Sequence, residues 1–212
     1  EETLLGQNGE SDKWKTDNKG VIKDEAQPVV RFAEFIDRVA HVNPDLRVRF
    51  STSHPKDMTD DVLEVMAQHE NVCKYIHLPV QSGNSDVLKR MNRGYTREWY
   101  LERMESIHRI MPDCATSTDI ISGFCGETEA EHQDTLSLME MMSYDMAYMF
   151  SYSERPRTLA QRKYENDVPE EVKKRRLQEI MAVQKVHAAN RTKSYVGRTY
   201  RVLVEGTSKK KE

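Results

Sequence analysis

The sequence predicts an α/β fold built on a parallel sheet. Three observations carry the prediction. Short apolar runs alternate with longer amphipathic ones along most of the 212 residues. Hydrophobic residues make up 37% and charged residues 32%, which suits solvated helices packed on a buried sheet better than a disordered chain. No apolar run approaches the roughly 20 residues needed to cross a bilayer. Strand–helix alternation at this spacing implies βαβ units with parallel strands. The length allows one large domain, or one domain with a small appendage.

The elements follow in order. "ETLLGQN" opens as a strand and leads to a polar loop over 15–27. "PVVRFAEFIDRVAHV" puts Val30, Phe32, Ala33, Phe35, Ile36, Val39 and Ala40 near helical spacing, with Pro28 suited to the first turn. "DLRVRFSTSHP" is a strand that stops before Pro55, and "MTDDVLEVMAQH" is a helix entered at Thr59 or Asp60. "VCKYIHLPV" is the next strand, followed by helical pieces over 84–92 and 96–111. "CATSTDIISGF" and "MAYMFSYS" are strands around the helix "ETEAEHQDTLSLMEMMS". The methionines of "MEMM" and "MAYM" fall on expected core faces. "PEEVKKRRLQEIMAVQKVHAANRTKSY" is one long helix. "RTYRVLVEG" alternates as a strand with no helix after it, and is expected to begin a small β module.

Cysteine and charge narrow the function classes. Cys73, Cys114 and Cys125 belong to no CxxC or CxxxCxxC cluster, so neither a zinc nor an iron–sulfur site is written in the chain. Cys73 and Cys114 read as small buried hydrophobes; Cys125 stands apart, between the glycines of "GFCGET". The N-terminus lacks a signal peptide's basic start and apolar core, which with an odd thiol count points to a reducing, cytoplasmic setting. A net charge of −3 gives no overall attraction to polyanions. "KKRR" at 173–176 and "KKK" at 209–211 nevertheless make the C-terminal third locally basic, either as a solvated helix face or as a nucleic-acid contact.

Ligands of parallel α/β folds sit at the carboxyl ends of the strands. Here the five exits carry Gly6, Gln7 and Asn8; Ser51, Thr52, Ser53 and His54; His77, Gln81 and Ser82; Gly123, Gly126 and Glu127; and Ser151, Tyr152, Ser153, Glu154 and Arg155. Five polar exits in succession point to a shared site. In "DIISGFCGET" the glycines let a ligand approach the backbone closely, and Glu127 suits a helix N-terminus. His54, beside Pro55, braces a turn as readily as it acts as a base. The sequence shows no paired carboxylates, nucleophile elbow or P-loop.

Taken together, "LLGQN", "RFSTSHP", "HLPVQSGN…VLKRMNRGYT", "TDIISGFCGETEAEH" and "ERPRTLA" resemble the radical S-adenosylmethionine (SAM) methylthiotransferases, and within them the tRNA-modifying branch. The resemblance runs from residue 1 to about 206 and joins several long motifs in order. It implies a partial (β/α) barrel of radical SAM type over 1–193, lacking its first strand and cluster loop, and the start of a TRAM RNA-binding module over 194–212. It further implies SAM and two [4Fe–4S] clusters, whose ligands are not in this chain, so that the chain alone is expected to be inactive. The implied activity is 2-methylthiolation of N(6)-isopentenyladenosine in the anticodon stem-loop of tRNA, as a monomer, with an external electron donor and sulfur source. Sibling readings are a methylthiotransferase acting on an aspartate of a ribosomal protein, and a non-catalytic RNA-binding remnant.

By the same resemblance Gln7 and Asn8 face the cluster side of SAM. Ser51, Thr52 and Ser53 take its methionine or ribose part, with Gln81 and Ser82 next. The backbone around Ile121 and Gly123 holds the adenine, and His77 braces the loop or positions SAM. Arg93 and Arg155 are expected to meet a carboxylate or an RNA phosphate, and Lys173, Lys174 and Arg175 to meet RNA. Two departures stand out: "GQNGESDKW" where the family continues "GQNV", and "RPRT" with Arg157 where it has a glycine.

Overall fold

The computed structural model describes residues 2–4, 14–15, 29–51, 54–204 and 206–207. The sequence candidates Gln7, Asn8, Thr52 and Ser53, and the basic run 209–211, lie outside the described residues. In chain order the elements are β1 (Glu2–Leu4), β2 (Trp14–Lys15), β3 (Val29–Val30), α1 (Phe32–Val42), β4 (Val48–Phe50), α2 (Asp60–Gln68), β5 (Tyr75–His77), α3 (Ser85–Arg90), α4 (Arg97–Ile110), β6 (Ala115–Ser122), α5 (Glu129–Met142), β7 (Met146–Ser151), α6 (Leu159–Lys163) and α7 (Glu170–Ser194).

The parallel sheet is as expected. β1 pairs with β4, and β5, β6 and β7 pair in that order, all parallel. A parallel bridge from Val48 to Val72, just ahead of β5, carries the first pair on to the second group. Helix starts follow the capping chemistry. Asn84 accepts from the N–H groups of Asp86 and Val87, and Thr128 and Glu131 close a reciprocal capping box at α5. Ile36, Leu63, Ile76, Tyr100, Leu138 and Ile180 are fully buried in one apolar core, which lies between the sheet and the helices.

Three expectations need correction. The helix foreseen from Pro28 begins at Phe32, because the β-branched pair Val29–Val30 is extended against Trp14–Lys15. "RTYRVLVEG" forms no strand over its described residues: Val202 and Val204 are 73% and 81% exposed, and no ladder partner satisfies the backbone there. The methionine runs split. Met139 is fully buried, but Met141 and Met146 face solvent. No described helix is long and apolar enough to cross a membrane.

Candidate functional site

Strand register decides which side chains can meet. His77 lies opposite Ser117, Ser117 opposite Met146, Asp119 opposite Tyr148, and Ile121 opposite Phe150, so these residues share one face of the sheet. The alternate residues Thr116, Thr118, Ile120 and Ala147 are buried beneath the helices. Tyr148 and Phe150 are 48% and 54% exposed: helices cover one face of the sheet and leave the other open.

A cavity of about 530 Å³ opens where that face meets the carboxyl ends of β6 and β7. Gln81, Asp119, Ile121, Phe150, Ser151 and Arg155 are among its walls. A neighbouring hollow of about 260 Å³ shares Ile121, Tyr152, Thr158 and Ala160 with it, and adds Arg90, Arg93 and Phe124.

Gln81 is held in place by its backbone. Its N–H donates to the Asp119 carbonyl at 2.8 Å, and its own carbonyl accepts from Ile121 N–H at 2.9 Å. Its φ of 75° is in the left-handed region, which is uncommon for a residue other than glycine and is concentrated at functional sites. The carboxamide has no hydrogen-bond partner among the described residues, and the residue lines the cavity.

Asp119 was missed by the sequence reading. A carboxylate inside "TSTDIIS" was a usable signal, since a charge within a strand must take the open face. It is braced from behind. His77 Nε2 is 3.4 Å from Asp119 Oδ1, and His77 Nδ1 is 2.8 Å from Ser117 Oγ. Ser117 Oγ in turn lies 2.7 Å from the Tyr75 hydroxyl. His77 therefore braces a wall residue and is not itself among the described wall residues.

Other candidates turn away from the cavity. Ser82 is fully buried, 3.4 Å from Thr135 Oγ1, and accepts from Asn84 N–H at 3.3 Å, so it braces the loop against α5. Next to it a Cβ on Gly83 would sit 2.5 Å from Thr135 Cα; the glycine is there because two backbones touch. Gly123, at φ 73°, packs closely on α7: a Cβ there would meet Lys173 Cγ at 2.3 Å.

Half of the "KKRR" run is internal. Lys173, expected on RNA, is 1% exposed, and its ammonium donates to Asn166 and Glu170, each at 2.7 Å. The physical reason is helix phase, which aims position 173 into the sheet. Arg176 is buried too, donating to the carboxylate of buried Glu127 at 3.0 Å and to its carbonyl at 2.8 Å. Glu127 also accepts from Gly123 N–H at 2.6 Å. Burial pushes the Glu127 carboxyl up, against the N–H of Gly123 and the Arg176 charge. Arg175 is exposed but held by Glu129 at 2.7 Å and Glu179 at 2.6 Å, so its charge is already matched. Hydrogen bonding from Arg175 holds the Glu129 carboxyl down to about 2.

That leaves Arg93, Arg155 and Lys174 as cations with no ion-pair partner among the described residues. Arg93 faces the smaller hollow, Arg155 rims the cavity, and Lys174 is exposed on α7. Ser51, half-buried after β4, is not among the described wall residues. His54 caps a single 3-10 turn, accepting from Lys56 N–H at 3.3 Å.

A SAM-sized ligand fits this cavity: it combines apolar walls with an unpartnered carboxamide and a braced carboxylate. A four-iron cluster does not fit the chain's thiols. Cys114 precedes β6 and Cys125 follows it, which separates them by roughly 26 Å at the usual rise per strand residue. Both are buried, and burial pushes the Cys114 thiol up to about 12, away from the thiolate that iron needs.

The radical SAM superfamily model matches residues 23–139. The chain is 57% identical over its whole length to a protein of Amoebophilus asiaticus named tRNA-2-methylthio-N(6)-dimethylallyladenosine synthase. Proteins of the same name from Bacteroides fragilis and Christiangramia forsetii are 55% and 52% identical over 98% of the chain. In each case the chain spans 44% of the relative's length. Among solved structures, the coproporphyrinogen III oxidase HemN of Escherichia coli, a radical SAM enzyme, superposes with a TM-score of 0.59 at 23% identity, covering 73% of this chain and 37% of that one. That likeness supports the fold alone.

Proposed function

Because the chain belongs to the radical SAM superfamily, we propose that it is the SAM-facing part of a tRNA methylthiotransferase acting on N(6)-isopentenyladenosine. The observation that carries the SAM part is the cavity at the exits of β6 and β7, with Gln81 presenting an unpartnered carboxamide to it. The tRNA part rests on the name that the relatives share over nearly the whole chain.

In this reading Gln81 and Asp119 bind the polar edges of the SAM nucleoside, and Ile121 packs on its adenine. The Tyr75–Ser117–His77 string keeps Asp119 pointed inward. SAM supplies a methyl group or a 5′-deoxyadenosyl group. The radical use of SAM requires an iron–sulfur cluster, for which this chain has no ligand set, so the work assigned to its residues is binding, orientation and exclusion of water. Arg93, Arg155 and Lys174 serve as phosphate contacts, which makes RNA affinity fall steeply with salt. The stretch 194–212, which starts at the last residue of α7, begins an RNA-binding module in this reading. The electron donor and the sulfur source are separate partners.

Two measurements test this. In equilibrium dialysis the chain binds SAM, and Gln81→Ala or Asp119→Ala weakens binding about tenfold, the scale of one buried hydrogen bond to a ligand. Unchanged binding in both variants removes the cavity from the reading. A version as long as the relatives, anaerobically reconstituted with iron and sulfide, should convert isopentenyladenosine in tRNA to its 2-methylthio form, read by nucleoside mass spectrometry. Modification of a ribosomal protein instead overturns the substrate.

A further inference from the structure

We propose that Asp37, His41 and His69 form a site for a borderline divalent metal ion of the Zn²⁺ type. Asp37 and His41 stand one turn apart on α1, and His69 caps the C-terminus of α2. One ligating atom of each lies within 4.8 Å of the others. His69 Nε2 is 2.7 Å from Asp37 Oδ1, and His41 Nδ1 is 3.6 Å from the same oxygen. The two imidazoles meet edge to face at 4.8 Å between centroids. Two imidazoles and one carboxylate are a donor set that Zn²⁺ takes, with a fourth position left to water.

The surroundings are built to hold this geometry. His41 Nδ1 also lies 2.8 Å from the Asp37 carbonyl oxygen, which holds the ring beside Asp37; the ring meets a metal through Nε2, or through Nδ1 once that contact is given up. Asn71, two residues past His69, donates to the carbonyls of Ala40 at 2.9 Å and Asn43 at 3.2 Å, tying the end of α1 to the chain leaving α2. Lys74 donates to the His69 carbonyl at 2.6 Å, so its charge is directed at the backbone.

A second cluster makes the contrast. Glu129, His132 and Glu179 also converge, but Arg175 and Arg176 already occupy those carboxylates. Among the described residues no arginine or lysine pairs with Asp37. The proposed site is also far from the SAM cavity in the fold. Val72, just past His69, bridges Val48 at the amino end of β4, whereas the cavity is at the carboxyl ends. Its role is therefore to clasp α1 to α2 and not to take part in chemistry.

The test uses the chain itself with Zn²⁺, and with Co²⁺ as a visible reporter. One equivalent of Co²⁺ should bind with d–d absorption and no thiolate charge-transfer band, and alkylating the three cysteines should leave it unchanged. Zn²⁺ should raise the unfolding midpoint. His41→Ala, at a side chain that is 67% exposed, should weaken Zn²⁺ binding at least about tenfold and abolish the midpoint shift. Asp37→Asn should do the same with its volume kept. No binding near one equivalent, binding that survives His41→Ala and Asp37→Asn, or binding lost on alkylation would each overturn the proposal.

Discussion

The two sides of the sheet around β6 use similar polar residues to opposite ends. On the helix face, Gly123, Glu127, Lys173 and Arg176 are buried and matched to one another. On the open face, Gln81, Asp119, Arg93 and Arg155 end at a cavity and leave hydrogen-bonding capacity unused. The first group spends its polarity on holding the turn after β6 in place. The second has polarity left for a ligand. In this fold a polar residue at a strand exit is informative only once its side of the strand is known.

The contrast predicts where substitution harms folding. The largest loss is expected for Arg176→Leu, which strands the Glu127 carboxylate in the interior at a cost of about 3–5 kcal/mol. Urea unfolding measures it, and adding Glu127→Leu should restore much of it; a loss below about 1 kcal/mol would mean the pair is not buried in solution. Gly123→Ala comes next. It forces a left-handed φ on a residue with Cβ and drives that Cβ into Lys173, for about 2–4 kcal/mol together. Neither substitution touches the cavity, so in the folded fraction SAM binding should persist. Equal loss of binding and stability would erase the distinction between the two faces.

Much of this architecture was legible in advance because it rests on local pattern. The order of strands and helices follows apolar periodicity, and Thr128, Asn84 and Thr96 announce the helices they begin. The site was legible only as a set of exits. Ser82 and Gln81 are neighbours in "VQSGN", yet the left-handed turn at Gln81 sends one side chain to the cavity and the other into α5. No one-dimensional pattern separates them. "KKRR" reads as a uniform basic patch, yet successive positions on α7 are about 100° apart, which buries Lys173 and Arg176 and exposes Lys174 and Arg175. The antiparallel pairing of Val29–Val30 with Trp14–Lys15 depends on contact between stretches separated in sequence, which periodicity does not report.

A smaller effect separates the buried pair from its exposed neighbour by pH. Glu129, held down to about 2 chiefly by the hydrogen bond from Arg175, clasps α5 to α7. Its folded value lies below the ordinary 4.5, so its contribution is present above that value and is lost as pH falls from 4.5 towards 2. Glu127 is shifted the other way by burial, so its titration acts with the opposite sign, weakening the fold as pH rises through the window above its ordinary value. The stability difference between the parent and Glu129→Gln should therefore be largest near neutrality and close as pH approaches 2. A difference independent of pH would show that Arg175 draws its hold from Glu179 instead.

The smallest effect lies on the open side and has the opposite sign. Arg157, like Gly123, takes a left-handed backbone, with φ of 68°. Unlike Gly123 it is exposed, and its N–H donates to Gln161 Oε1 at 2.8 Å. A residue with Cβ loses about 1–2 kcal/mol in that conformation, while glycine gives back about 0.5–1 kcal/mol through the freedom of the unfolded chain. Arg157→Gly should therefore stabilise by about 0.5–1 kcal/mol, a rise of about 2 °C in the unfolding midpoint of a chain this size. The same left-handed geometry thus predicts a large loss where the turn is packed and a slight gain where it borders solvent. If Arg157→Gly is stabilising yet weakens SAM or RNA binding, the arginine is held in an unfavourable backbone for its guanidinium, and the rim beside Arg155 extends to it.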